Sequence, residues 1–181
     1  MMKMHIEVDK TTSTTVTALL YGGAFLLYDY FMHTTFMIET NKVYEFYCPA
    51  SFGTLSQERV NKLFTDGRRA SGFLELQLEE WFEGLVFEDG NGYDHRYKYM
   101  KELFDAKCFT KGGAKFCPSV MLGAGRSVDK KKLWEHAVNM IYIFCDVVEF
   151  PKVRVVFKRG SDLTQYPKGS IPFGDRDVLF A

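Results

Sequence analysis

The chain has 181 residues, in which 23 basic side chains balance 23 acidic ones. A hydrophobic share of 46% and a charged share of 25% are ordinary for a globular protein, which excludes a disordered chain and a collagen-like repeat. The zero net charge argues against a strongly basic nucleic-acid coat protein. The length predicts a single domain, 1–181, with a β-rich part (1–53), an α/β core (54–159) and an extended C-terminal tail (160–181).

The first part is predicted to be an antiparallel β-meander. Residues 11–17 and 24–32 are rich in Thr, Val and aromatic side chains, which favour strands. Turn residues at 40–42 predict a hairpin between 34–39 and 43–48.

The apolar run 16–28 resembles a secretory signal because it follows Lys3 and Lys10. No small-x-small cleavage pattern comes after it, and the run is shorter than the about 20 residues that a bilayer span needs. We therefore expect a cytoplasmic protein with no membrane partner.

Two helices are predicted to follow the meander. A capping box at 54–57 begins a short helix that ends at Gly67. A second helix is expected from Ser71 to Gly84, with acidic residues on its outer face. Its predicted apolar face consists of Leu74, Leu78, Trp81, Phe82 and Leu85.

The longest helix is predicted over 128–145, with Ser127 as its N-cap. Its second half is apolar nearly all round, which is typical of a helix buried on more than one side. A strand is expected at 153–157, and the tail 160–181 is expected to run extended over the surface.

The segment between the predicted helices allows two interpretations. In the first it forms strands at 85–88, 93–99 and 103–109. In the second, 94–107 is a helix that begins at Asp94 and has an apolar stripe of Tyr97, Met100 and Phe104. The two interpretations differ in whether a chemical site can form.

Charge is segregated along the chain. Between Glu75 and Asp94 there are seven acidic residues and no Lys or Arg, whereas 101–132 is mainly basic. One interpretation is a pair of solvated faces, and the other is a carboxylate cluster beside a phosphate-binding rim.

The strand interpretation creates a candidate catalytic site. Asp105 and Lys107 would then point the same way, because side chains alternate along a strand, whereas in a helix they would face about 200° apart. With Asp94 on the adjoining strand, the two carboxylates could hold Mg²⁺ through oxygen ligands. Lys107 would lower the pKa of an attacking water or balance charge on the phosphate oxygens.

The predicted element order over 71–159 is α-β-β-β-α-β. This order, together with Asp94, Asp105 and Lys107, resembles the PD-(D/E)XK nuclease superfamily. The resemblance implies that Asp94 and Asp105 are metal ligands and that Lys107 is the catalytic lysine. It also implies an optional third acid on the first helix, at Glu79 or Glu80, with Glu80 our assignment. The expected fold class is therefore α+β, with a mixed central sheet flanked by helices.

Basic residues are the candidates for substrate binding. The glycine-rich segment 123–127 precedes the predicted long helix, where free N–H groups, Arg126 and Lys130 would attract an anion. A simple helix-entry loop is the alternative. Lys111 and Lys115, in the basic block, are the other predicted contacts to nucleic acid.

The cysteines are predicted to be reduced, buried thiols, because their spacing matches no zinc finger and they are too sparse for a disulfide scaffold. A zinc site is the alternative, and its candidate ligands are Cys108, Cys117, His95 and His136.

Two functions are compatible with these patterns. The first is a Mg²⁺-dependent nuclease that hydrolyses DNA phosphodiesters. The second is a non-enzymatic assembly or inhibitor protein, such as a viral or phage-like subunit, that binds a protein partner or its own copies through an aromatic-rich β face. The aromatic share of 16% favours the second function, and the charge blocks favour the first.

Overall fold

A computed structural model describes residues 35–90, 93–118 and 128–181, all of which belong to one compact unit. No helix in these three ranges is long and apolar enough to cross a bilayer. The strands predicted at 11–17 and 24–32 lie outside the described residues.

The helices are α1 (Gln57–Phe64), α2 (Gly67–Trp81), α3 (Lys130–Ala137) and α4 (Arg176–Leu179). The strands are β1 (Val43–Tyr47), β2 (Leu85–Gly90), β3 (Tyr93–Tyr97), β4 (Leu103–Phe109), β5 (Ala114–Lys115), β6 (Met140–Asp146), β7 (Lys152–Arg159) and β8 (Ser170–Ile171). Short 3₁₀ turns occupy Gly160–Leu163 and Phe173–Asp175.

Six of the strands form one mixed sheet in the order β1-β7-β6-β4-β3-β2. Strands β4 and β6 pair in parallel, and the other neighbours pair antiparallel. Strands β5 and β8 form a separate two-stranded sheet. The predicted α+β class with a mixed sheet flanked by helices is confirmed. The predicted order holds from α2 to β4, but β5 and β6 were not predicted, and the strand predicted at 153–157 is β7.

The first two helices begin at different residues from those predicted. The hydroxyl of Ser56 accepts the Arg59 N–H and caps α1. The N-cap therefore lies two residues after Thr54, the first residue of the expected capping box. The carboxylate of Asp66 accepts the Arg68 N–H at 3.1 Å and begins α2 four residues before Ser71. A short acceptor side chain in the tight link between the two helices explains the earlier start of α2.

The predicted hairpin between 34–39 and 43–48 is wrong. Strand β1 is present, but it pairs antiparallel with β7. Residues 35–40 instead make isolated bridges, from Phe36 to Phe82 and from Thr40 to Phe157. The turn at Asn41 is real, with a φ of 65°, but it leads the chain into a long-range pairing rather than back along itself.

The predicted long helix over 128–145 is also wrong. Helix α3 ends at Ala137, and Met140–Asp146 is the strand β6. All seven residues of β6 are buried. A strand covered on both faces shows no alternation of polar and apolar residues, which is why this run matches the pattern of a buried helix.

Residues 93–97 and 103–109 form the strands β3 and β4, so the helical interpretation of 94–107 is wrong. Strands β3 and β4 pair with their neighbours, and Met100 N–H donates to the Tyr97 carbonyl at 3.4 Å in the turn between them. His95, Tyr97 and Phe104 are buried. Long-range pairing thus overrides a local helical pattern.

Two apolar clusters cover the two faces of the sheet. The face with α1 and α2 packs around Leu74, Phe104 and Phe157. The opposite face, with α3 and the C-terminal segment, packs around Leu133, Phe144 and further rings. Because Ala106 and Cys108 pack with the first cluster and Leu103 and Phe109 with the second, successive residues of β4 point to opposite faces.

The tail expected to be extended contains the turns, β8 and α4 instead. Its side chains complete the second cluster, and the buried members are Leu163, Tyr166, Ile171, Leu179 and Phe180. Arg176 donates from Nε to the buried Asp146 carboxylate at 2.8 Å. The tail is therefore part of the core rather than a surface wrap.

Candidate active site

The site begins where strands β3 and β4 stop pairing. Their paired positions are His95 with Phe104 and Arg96 with Leu103. At the next position the Ala106 N–H donates to the Asp94 carboxylate at 2.9 Å. The Asp94 side chain thus takes the place of a main-chain acceptor in the ladder. This hydrogen bond holds the carboxylate, at the start of β3, beside the middle of β4.

The three predicted catalytic residues share one face of the sheet. In the antiparallel register, Asp94 stands opposite Asp105, because His95 stands opposite Phe104. Lys107 follows Asp105 by two residues in a strand and points the same way. Its ammonium group makes an ion pair with the Asp105 Oδ1. The structure therefore brings Asp94, Asp105 and Lys107 together.

The Asp105 carboxyl is buried, and few neighbouring groups stabilise its negative charge. It is 4% exposed, and burial raises the pKa of its carboxyl to about 7. The ion pair with Lys107 lowers that pKa, whereas the negative charge of Asp94 raises it.

An open cleft of about 600 Å³ borders Asp94 and Lys107. Residues of α2, including Arg68 and Glu75, line it, and so does Lys115. The buried Asp105 is not among the lining residues, so the cleft reaches two of the three predicted catalytic residues directly.

Close packing of α2 on β4 shapes this cleft. A Cβ built on Gly67 would lie 2.9 Å from the Cys108 Cβ and 3.0 Å from the Thr110 Cγ2. Only a glycine permits this approach without displacement, so the first turn of α2 lies directly beside the end of β4.

The predicted third acid, Glu80, is not at the cleft. It is exposed on α2, and it lies five residues, or about 140° around the helix, from Glu75. The cleft is lined by Glu75 instead. Glu75 lies within the predicted helix, where it was placed on the outer face with the other acids. Its position at the cleft depends on how α2 packs against β4, which the pattern of the helix does not reveal.

The predicted basic contacts divide into three groups. Lys115 is exposed and lines the cleft. Lys111 and Lys130 are exposed, but they are not among the residues that line it. Arg126 and the glycine-rich segment 123–127 lie outside the described residues.

Two polar atoms on the same face of the sheet were not predicted. The Tyr142 hydroxyl and the His136 Nε2 are buried and have no hydrogen-bond partner within the described ranges. Burial raises the pKa of Tyr142, and the negative charge of Asp105 raises it further. Burial lowers the pKa of His136, and so does the positive charge of Lys107. The mistaken long helix concealed the position of Tyr142.

The donor set suits a hard divalent cation. Asp94 and Asp105 offer carboxylate oxygens from neighbouring positions of β3 and β4. Nowhere in the described ranges do three or more His, Cys, Asp or Glu residues form a metal-binding group. Mg²⁺ suits such a site because it binds through one or two carboxylates and keeps several waters or phosphate oxygens as ligands.

The thiols and histidines of the alternative zinc site have other surroundings. The four cysteines are free, and burial raises the pKa of each of their thiols. His95 is fully buried, and its Nε2 lies 2.7 Å from the Glu75 carbonyl oxygen. Cys108 packs against the α2 face and Cys117 belongs to the cluster on the opposite face. This arrangement does not support zinc.

A second open cleft, of about 610 Å³, lies at the other end of β4 and β6. Its charged lining residues are Lys101, Glu102 and Arg159, of which the last two form an ion pair at 3.5 Å. With a single carboxylate, this cleft lacks the paired acids that distinguish the first one.

Comparison of the chain with models of known protein families, with curated proteins and with solved structures found no match.

Proposed function

We propose that this protein is a divalent-cation-dependent nuclease that hydrolyses DNA phosphodiesters in the cleft between α2 and β4. The observation that carries the proposal is the grouping of Asp94, Asp105 and Lys107 on the neighbouring strands β3 and β4, with Asp94 and Lys107 lining this cleft. The succession of α2, β2, β3 and β4, with Asp94 on β3 and Asp105 and Lys107 on β4, supports the resemblance to the PD-(D/E)XK nucleases.

Each residue has a separate role in the proposed reaction. Asp94, held by the Ala106 N–H, and Asp105 would bind Mg²⁺. The bound ion would supply electrostatic stabilisation of charge that develops on the phosphate oxygens.

Lys107 acts beside the acids in this proposal. In the metal-free protein its ammonium group is paired with Asp105, so its charge is held at the place where a phosphate would approach. From there it can donate to a phosphate oxygen or orient the attacking water. Lys115 and Arg68, which line the cleft, would contact the backbone of the nucleic acid and carry no sequence information.

The test is cleavage of supercoiled plasmid with Mg²⁺ by the wild type and by Asp105→Asn and Lys107→Ala. We expect each variant to lose about 100-fold or more of the nicking rate, because each removes a group that contacts the reacting phosphate or its ion. Matched controls are Asp162→Asn and Lys62→Ala, which alter exposed residues that do not line the cleft.

Melting temperatures of all four variants should be measured beside the rates, so that loss of activity is separated from loss of fold. EDTA should abolish nicking by the wild type. Cleavage by Lys107→Ala or Asp105→Asn at the wild-type rate contradicts the proposal, as does a wild type that leaves plasmid intact under Mg²⁺ and Mn²⁺.

The assembly or inhibitor function has weaker support. It depends on an aromatic binding face, but many of the described rings are in the core. Six Phe side chains are fully buried: Phe82, Phe104, Phe109, Phe116, Phe144 and Phe157. Size-exclusion chromatography that shows a large oligomer, without cleavage, is the outcome that favours this alternative.

A further inference from the structure

The Tyr142 hydroxyl is a buried donor that has no acceptor. Tyr142 is 0% exposed, and its oxygen has no partner in the described ranges. An unpaired buried hydroxyl costs about 1–3 kcal/mol, and a phenylalanine would fill the same space without that cost. A role in packing therefore does not account for a tyrosine at this position.

Asp105 is the acceptor closest to this hydroxyl in the order of the sheet. Tyr142 and Asp105 are partners in the parallel ladder of β4 and β6, so their side chains stand beside each other on one face. On its other side Tyr142 is paired with Lys158, whose ammonium group can only donate. Of these two ladder partners of Tyr142, only Asp105 has a side chain that can accept a hydrogen bond.

The Asp105 carboxylate has room for a further donor. Its Oδ1 accepts from Lys107, and a carboxylate has about four lone-pair positions on its two oxygens. A carboxylate that binds a cation is ionised, and a hydrogen bond to an ionised acceptor is stronger than one between neutral groups.

We propose that Tyr142 is a positioning residue, whose hydroxyl donates to Asp105 and holds this carboxylate in place when it binds a divalent cation. The inference rests on the proposed function, because it takes Asp105 to be a metal ligand. Hydrogen bonds of this kind fix the orientation of metal ligands, and their loss typically costs about 10–100-fold in metal affinity.

The experiment compares Tyr142→Phe with Tyr166→Phe, which removes a hydroxyl from another largely buried tyrosine of the same apolar cluster. Mn²⁺ binding is measured by calorimetry on metal-free protein, and melting temperatures are recorded with and without Mn²⁺. We expect Tyr142→Phe to bind Mn²⁺ about 10-fold more weakly and Tyr166→Phe to bind it as the wild type does.

The metal-free melting temperature separates positioning from a structural role. Without metal, Tyr142→Phe should melt at or above the wild-type temperature, because an unpaired hydroxyl has been removed. Its melting temperature should rise less on addition of Mn²⁺. Its nicking rate should recover at about 10-fold higher Mn²⁺, since the hydroxyl holds a ligand and does not touch the phosphate.

Three results overturn the inference. If Tyr142→Phe binds Mn²⁺ as tightly as the wild type while Asp105→Asn does not bind it, the inference fails and the proposed function stands. If metal-free Tyr142→Phe melts well below both the wild type and Tyr166→Phe, the hydroxyl serves the fold instead. If the wild type neither binds Mn²⁺ nor cleaves DNA, both proposals fail together.

Discussion

Two buried aspartates, one on each of the paired strands β4 and β6, differ in how many donors and positive charges surround their carboxylates. Asp146 is 1% exposed and accepts four hydrogen bonds: from Arg154 Nε at 3.0 Å, Arg154 Nη2 at 2.8 Å, Arg176 Nε at 2.8 Å and the Val148 N–H at 3.1 Å. Asp105 is 4% exposed, and its neighbours are one lysine and a second carboxyl group.

This difference indicates that Asp146 stabilises the fold, whereas Asp105 is a candidate functional residue. Two arginines and a backbone donor leave Asp146 saturated, so its charge ties the tail to the sheet. Asp105 has too few donors for its burial, which raises its pKa to about 7. Strongly perturbed acids beside an open cleft are characteristic of functional sites, because a ligand supplies the missing charge.

The largest expected effect is at the structural acid. Asp146→Asn removes the charge that pairs with Arg154 and Arg176 and should lower the free energy of unfolding by about 3–5 kcal/mol. Urea unfolding at pH 7 measures this loss. The exposed Asp162→Asn control should change the same free energy by about 0.5 kcal/mol or less. A cost at Asp146 as small as that of the control would remove the contrast.

At Asp105, in contrast, ionisation of the carboxyl is expected to lower the free energy of unfolding. Its folded pKa lies above the unfolded value of 3.8, so its stabilisation is complete below about pH 4 and is lost as the pH rises through about 7. The wild type should therefore lose up to about 4 kcal/mol relative to Asp105→Asn over this range, because each pKa unit corresponds to about 1.4 kcal/mol. Urea unfolding of both proteins in EDTA across pH 4–8 measures the difference, and parallel curves contradict the assignment.

A smaller effect is expected at the helix that borders the cleft. Gly67→Ala should lower the free energy of unfolding by about 1–3 kcal/mol, because the new Cβ would overlap Cys108 and Thr110. In the same helix, Gly72 has no heavy atom within 4 Å of an added Cβ. Gly72→Ala should therefore stabilise the protein, by about 0.5–1 kcal/mol. Equal effects of the two substitutions in urea unfolding would show that α2 does not lie against β4.

The smallest effects compare two glutamates of α2. Glu75→Gln should slow Mg²⁺-dependent nicking about 10-fold, since Glu75 lines the cleft beside Asp94, and loss of a supporting ligand or its partner costs about that much. Glu80→Gln should leave the rate unchanged, because Glu80 is exposed elsewhere on the helix. Plasmid nicking at matched protein concentrations measures both, and a slower Glu80→Gln would reverse their assignment.

The extent of sequence-based prediction varies along the chain for physical reasons. Strand β4 matches the predicted range 103–109, and the succession of α2, β2, β3 and β4 holds, because hydrophobic alternation is a local signal. Strand β6 was mistaken for helix because a strand buried on both faces has no alternation. The pairing of β1 with β7 joins residues more than 100 positions apart, which no local pattern reveals.

The candidate site was predictable in part for the same reasons. The spacing of Asp105 and Lys107 places them on one face as soon as the strand is known. The neighbouring Tyr142 and Glu75 depend on the parallel pairing of β4 with β6 and on how α2 packs against β4. Both are consequences of tertiary packing, so they emerge only with the fold.

The hydrogen bond from the Ala106 N–H to Asp94 gives one side chain two tasks. The carboxylate stands where a neighbouring main chain would otherwise supply a carbonyl oxygen, so continuity of the sheet passes through residue 94. Asp94→Ala would remove the acceptor of this hydrogen bond as well as a proposed metal ligand. Asp94→Asn keeps a side-chain oxygen that can accept the Ala106 N–H. The pairing of β3 with β4 therefore limits which residues fit at position 94, independently of any reaction.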